Sequence, residues 1–183
     1  MKTLLSAISL ILLLSSCTKD TCEDKYYYLT NDEISWLSYS GGEVLIFKSN
    51  DGLYDTSKVS NRILNYEGKH IFESKCSELY QNGLINIPLA DSGFSIVVKH
   101  IDNSASIILP IPHTNSYFQF AKFSDFSPQN NISINGTTYN NVYVMNLDTT
   151  NFLQPTVWRI FYTKQNGILK FDITKGQNWT RVN

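Results

Sequence analysis

Cys17 has the clearest chemical setting of any side chain in this 183-residue sequence. It follows Leu14, Ser15 and Ser16, and those residues close an apolar run over positions 4–14 broken only by Ser6 and Ser9. Two small residues let an enzyme hold an extended backbone close beside the thiol. A thiolate is a strong nucleophile, so this thiol is a candidate for covalent attachment of a group. Two further thiols, Cys22 and Cys76, are left over. In an oxidising compartment an even remainder is a candidate disulfide, and two free thiols are the alternative. His70, His100 and His113 stand apart, with no second ligand at helix or hairpin spacing, so no metal site is expected. Cys-x-x-Cys, His-Glu-x-x-His, Gly-x-Ser-x-Gly and a Gly-rich phosphate loop do not occur. Carboxylates are numerous, but nothing selects two of them as an acid–base pair. No catalytic residue is expected.

The apolar run spans roughly 16 Å as a helix, too short for a bilayer core of about 30 Å. With Lys2 ahead of it, the run has the form of a secretory signal segment. The row Leu14-Ser15-Ser16-Cys17 resembles the lipobox of bacterial lipoproteins. That resemblance implies cleavage before Cys17, a thioether-linked diacylglycerol and an N-acyl chain on the new terminus, with no other cofactor. Two or three acyl chains, at about 0.8 kcal/mol per buried CH₂, make a stable membrane anchor. The charged stretch that follows reads as a tether. Thr18 stands where an Asp would resemble an inner-membrane retention signal, which favours the outer membrane. Lys19 followed by acids is similar to the surface-export signal of Bacteroidota lipoproteins. Thr21 and Cys22 interrupt those acids, so the match is partial, and the surface and periplasmic faces both stay open with a lean to the surface. The expected organisation is a signal peptide over 1–16, a lipidated tether over 17–34 and one domain over 35–183.

Composition narrows the rest. The formal net charge is −1, and Lys2 is the one charge within 1–16, so the mature chain is slightly more acidic still. That balance argues against a nucleic-acid partner and against an anionic-lipid surface, both of which would want clustered Lys and Arg. The 3 Trp, 11 Tyr and 10 Phe all follow residue 25. Together with abundant Ile, Val, Thr, Asn and Ser they favour pleated, half-buried strands.

The elements that must position these residues read as short strands between turn signals. Segment 43–48 precedes an Asn50-Asp51-Gly52 turn. Segments 94–101 and 105–109 form a hairpin across Asp102-Asn103-Ser104, and Pro110 and Pro112 end the return strand because proline cannot donate to a ladder. Segment 116–123 alternates in hydrophobicity. Asn135-Gly136 fits a type I′ turn between 132–134 and 137–139, and Asn166-Gly167 is expected to act in the same way between 157–163 and 168–173. Segment 157–163 is bulky on both faces, so it is expected to be central. Helical character is confined to the signal segment and to 29–37, where Thr30 and Glu33 form a capping pattern. The predicted fold is all-β: an antiparallel meander of about nine or ten strands, closed as a sandwich or as a curved barrel-like sheet.

Gly136, Tyr139, Val142, Tyr162, Gly167, Phe171, Gly176 and Trp179 form a pattern that resembles the ending of uncharacterised Bacteroidota outer-membrane lipoproteins. The resemblance covers about the last 50 residues and the lipobox. It implies fold and address, and it carries no active site. Asp148-Thr149-Thr150 resembles a Bacteroidota O-glycosylation site at Thr149, with a plain loop as the alternative. Asp91-Ser92-Gly93 faintly resembles the nucleophile segment of chymotrypsin-like proteases, but it lacks the flanking glycines and fits a hairpin turn.

Three functions are therefore weighed. The first is a non-catalytic envelope lipoprotein, anchored in the outer membrane, that binds or scaffolds a protein, glycan or lipid. The second is a carrier of lipid or apolar ligand, whose aromatic strands would line a half-barrel cavity. The third is a hydrolase with an unrecognised carboxylate site.

Overall fold

The computed structural model describes residues 23–70, 76–89, 93–110, 118–147, 157–174 and 176–183, with the backbone alone at 69–70, 109–110 and 118–121. Leu14, Ser15, Ser16, Cys17, Cys22, Asp91, Ser92, His113 and Thr149 lie outside the described residues.

The chain begins with β1 (Lys25–Tyr27) and a short helix α1 (Asn31–Ser35), then β2 (Val44–Ser49), β3 (Tyr54–Lys58) and β4 (Ile63–His70). It continues through β5 (Ser77–Pro88), β6 (Gly93–Lys99), β7 (Ser104–Pro110) and β8 (Phe118–Lys122). After a 3₁₀ turn at Phe123–Asp125 come β9 (Ile132–Ile134), β10 (Thr137–Tyr139), β11 (Tyr143–Asn146), β12 (Val157–Thr163), β13 (Gly167–Ile173) and β14 (Asn178–Arg181). Among the described residues the strands number fourteen rather than nine or ten. Several have only three or four residues, too short to stand out in a periodicity reading.

The fold is an all-β sandwich of two open six-stranded sheets. The first sheet runs β1-β5-β6-β7-β8, with β4 on β5. The second runs β11-β12-β13-β14-β2-β3, so β12 is paired on both sides, as its two bulky faces require. The meander expectation needs two corrections. β1 pairs with β5 in parallel, Lys25 opposite Glu78. The hairpin β2–β3 leaves its sequence neighbours and joins the second sheet through β14, Trp179 opposite Ser49.

Alternation explains which faces meet. On β6, Phe94, Ile96 and Val98 are buried while Ser95, Val97 and Lys99 point the other way. Ile85, Ile87 and Ile107 extend that inner face. Leu45, Phe47, Met145, Ile160, Tyr162, Ile168 and Phe171 supply the opposing one. Phe94 meets Phe171 edge-on across the sandwich at 5.1 Å. Each such side chain removed from water contributes roughly 1.5–3 kcal/mol before chain entropy is subtracted.

Residues 25–34, expected as unpacked tether, belong to the fold. Leu29 is buried and β1 is hydrogen-bonded to β5. The expected capping box is present: Glu33 N donates to Thr30 Oγ1 at 3.2 Å, and Thr30 N donates to Glu33 Oε2 at 2.6 Å. Leu29 and Leu37 lie over Gly83, where a Cβ would stand 2.4 Å from Leu37 Cδ1. Asn135 and Gly136 both have positive φ, +49° and +78°, as a type I′ turn demands. Asn166-Gly167 departs from that expectation. The loop between β12 and β13 has three residues, 164–166, and only Gly167 enters the left-handed region, at φ +73°. Tyr39 makes glycine necessary at that position, because its hydroxyl accepts a hydrogen bond from Ile168 N at 2.7 Å and fills the space a Gly167 Cβ would take.

Candidate binding face

The outward side of the first sheet carries a groove of about 600 Å³. Strand register builds it in rows. Leu84 stands opposite Val97, Val97 opposite Ser106, and Ser106 opposite Lys122. Beside that row, Asn86 faces Ser95 and Ser95 faces Ile108. On its other side, Asn82 faces Lys99 and Lys99 faces Ser104. The floor is thus aliphatic, from Leu84, Val97 and Ile108, and the walls are hydroxyl and amide.

Charge sits at the rim. Lys99 Nζ is 3.1 Å from Glu67 Oε2, which also accepts from Asn82 Nδ2 at 3.1 Å. The Lys99 side chain is 41% exposed and the Glu67 side chain 46% exposed, so the pair steers and orients more than it stabilises. Hydrogen bonds from Lys99 and Asn82 pull the Glu67 carboxyl below its ordinary range. Ser95 Oγ donates to Asn86 Oδ1 at 2.7 Å. An amide oxygen cannot take up a serine proton, so this pairing fixes the wall without activating a nucleophile. Asp102 is the one carboxylate among the described residues lining the groove.

The residues singled out in the sequence lie elsewhere. His100 Nδ1 is 2.9 Å from Glu33 Oε1, beyond the end of β6. Burial pushes the Glu33 carboxyl up, but the hydrogen bonds from Thr30 and from His100, with its charge, outweigh this and bring it below the usual range. This pair ties α1 to the first sheet. It converges with no third ligand: no group of three or more His, Cys, Asp or Glu that could hold a metal occurs among the described residues. Cys76 is disulfide-bonded. The backbone of His70 ends β4.

Two charged or polar features were not anticipated. Asp172, 1% exposed, receives Arg159 Nε at 2.6 Å and lies 3.3 Å from Lys170 Nζ. Arg159 and Lys170 also cover the Phe161 ring. In the core, the Tyr162 hydroxyl donates to Trp36 O and lies 2.5 Å from Ser38 Oγ. The groove itself had one sequence signal, the unbroken Ile96-Val97-Val98 run, which is apolar on both parities. What lines up beside Val97 depends on registers that no short-range pattern states.

Among the described residues no helix is long and apolar enough to cross a membrane. No protein-family model, curated protein or solved structure matches this chain.

Proposed function

We propose that the chain is a lipid-anchored outer-membrane protein whose domain binds or scaffolds a partner and performs no chemistry of its own. The observation that carries this reading is a filled interior beside an open outer groove. The aromatic side chains that a carrier would use to line a cavity pack on one another: Trp36 and Phe123 at 4.2 Å, Phe123 and Tyr162 at 4.6 Å, Phe47 and Phe171 at 5.3 Å. Of the open concavities among the described residues, the one with an aliphatic floor lies over Leu84, Val97 and Ile108, at about 600 Å³ against about 470–510 Å³ for three others. Its aliphatic floor and polar walls suit a ligand or surface with one apolar side, held in place by hydroxyls, amides and Lys99. The anchor side of the reading is supported by the apolar run over 4–14 and by Leu14-Ser15-Ser16-Cys17.

A carrier of lipid or apolar ligand is the second reading, favoured by the aliphatic floor alone. One experiment separates the two. The tagged mature lipoprotein and its Val97→Glu variant are purified from native envelopes, and proteins, glycans and lipids are all analysed. Glu at 97 places a charge on the open floor between Lys99 and Lys122. A protein or glycan that accompanies the wild type and is depleted from the variant supports the proposal. A single lipid with no protein or glycan replaces it with the carrier. Identical partners in both preparations refute the groove as the binding site.

A further inference from the structure

At the end of the first sheet where the chain leads back to Cys17, three strands form a blade with an unusual surface. β4 covers residues 77–84 of β5 on one flank, so β1, at residues 78–80, takes the other. Tyr26 lies opposite Leu79 and Tyr66 opposite Gln81, on the same side of the blade. Tyr66 meets Tyr26 at 5.6 Å and Tyr28 at 6.2 Å, both edge-on. These rings are left open: Tyr26 is 52% exposed, Tyr28 61% and Tyr66 43%, with Leu64 beside them at 48%. The acids of the same strands belong to the opposite side. There Glu67 pairs with Lys99, and Glu78 accepts from the Tyr80 hydroxyl at 2.8 Å.

We propose that this tyrosine face rests on the headgroup layer of the membrane in which Cys17 is anchored. The inference depends on the lipid-anchor reading. Three observations select a lipid surface as the occupant. First, tyrosine carries an apolar ring with a polar tip, the chemistry that settles at a bilayer's water boundary. Second, the face presents Tyr26, Tyr28, Tyr66 and Leu64, while Glu67 and Glu78 of the same strands are engaged on the opposite side. Third, reach fixes the geometry. Tyr26 lies nine positions after Cys17, a span of at most about 32 Å, while a domain of this size is about 40 Å across. The anchor therefore holds the face at high effective concentration beside the lipid, where a few weak contacts suffice. Asp24 Oδ1, accepting from Ser77 N at 2.8 Å, keeps the chain's exit at the foot of the blade.

The test is hydroxyl-radical footprinting with mass-spectrometric readout. The lipidated full-length product is compared in phosphatidylethanolamine–phosphatidylglycerol liposomes with the soluble chain from Thr18 onward. Oxidation of Tyr26, Tyr28 and Tyr66 is expected to slow about threefold or more on liposomes. Tyr54, 63% exposed on the edge strand of the other sheet, should not change. A triple Tyr26→Ser, Tyr28→Ser, Tyr66→Ser variant, altered only at exposed positions, should restore Leu64 oxidation to its soluble rate. Equal tyrosine oxidation in both states, with the lipid on Cys17 verified by mass, overturns the docking while leaving the anchor intact. Absence of lipid on Cys17 removes the anchor reading and the docking with it.

Discussion

Gly167→Ala is expected to cost far more than a glycine substitution in a turn usually does. Gly167 and Gly136 have nearly the same backbone, φ +73° and +78°, and differ in surroundings. A Cβ at Gly136 meets nothing within 4 Å, so Gly136→Ala carries only left-handed strain, about 1–2 kcal/mol. A Cβ at Gly167 would lie 2.1 Å from Tyr39 Oη and 2.2 Å from its Cζ. Tyr39 is 3% exposed and has nowhere to retreat without surrendering the bond from Ile168 N. Leaving that buried donor unpaired adds about 1–3 kcal/mol. The total for Gly167→Ala is then about 2–5 kcal/mol, a large fraction of the 5–15 kcal/mol that holds a typical domain. Urea unfolding followed by tryptophan fluorescence measures both variants. In a Tyr39→Ala background the Gly167→Ala cost should fall toward the Gly136 value, which gives a coupling energy of about 2 kcal/mol. Equal costs for Gly136→Ala and Gly167→Ala, or no coupling to Tyr39, would refute the steric account.

Three other outcomes are expected. Burial pushes the Tyr39 hydroxyl from its ordinary 10 up to about 12, and Tyr162 is raised as well by its burial. A raised value in the fold means that the unfolded chain loses its proton first. Stability is therefore full below pH 10 and is lost as pH rises from 10 through 12; phenolate absorbance should show these two tyrosines titrating only with unfolding, and an early, complete titration of all 11 would contradict their burial. Asp172→Ala leaves Arg159 and Lys170 facing each other without a counter-charge and should lower stability by about 3–5 kcal/mol in urea melts, whereas a loss under about 1 kcal/mol would show that water takes over the role. Under the anchor reading, a clickable fatty acid should label the wild type and not Cys17→Ala, and non-reducing peptide mapping should link Cys76 to Cys22; label on both chains, or free thiols at both positions, would reject the respective assignment.

Legibility in the sequence followed the range of the interactions. The Thr30–Glu33 box and the Asn135-Gly136 turn span four residues or fewer, and both were readable from residue type alone. The alternation of 94–98 separated core from outer face because a strand's side-chain period is two. β1 was missed because Lys25, Tyr26 and Tyr27 look like tether until β5, 53 positions later, supplies a ladder. At the second Asn-Gly a distant residue also intervenes: Tyr39, 128 residues before Gly167, occupies the space beside it. The groove combines both cases, since Leu84, Val97 and Ile108 each read correctly as strand residues while their adjacency is a property of register.

The pairing of β14 with β2 places a constraint on the order of assembly. Trp179 must reach Ser49, and Arg181 must reach Phe47, across some 130 residues of intervening chain. During synthesis the hairpin β2–β3 emerges early and has no sheet to join. One edge of β2 waits unpaired until the last few residues arrive, and so does the β14-facing edge of β13. Closure of so long a loop is slow, and exposed strand edges in the interval are templates for misassociation. Loss of residues 178–183 would accordingly divide the second sheet into β11-β12-β13 and a detached β2–β3 hairpin, a defect of folding yield rather than of any single contact.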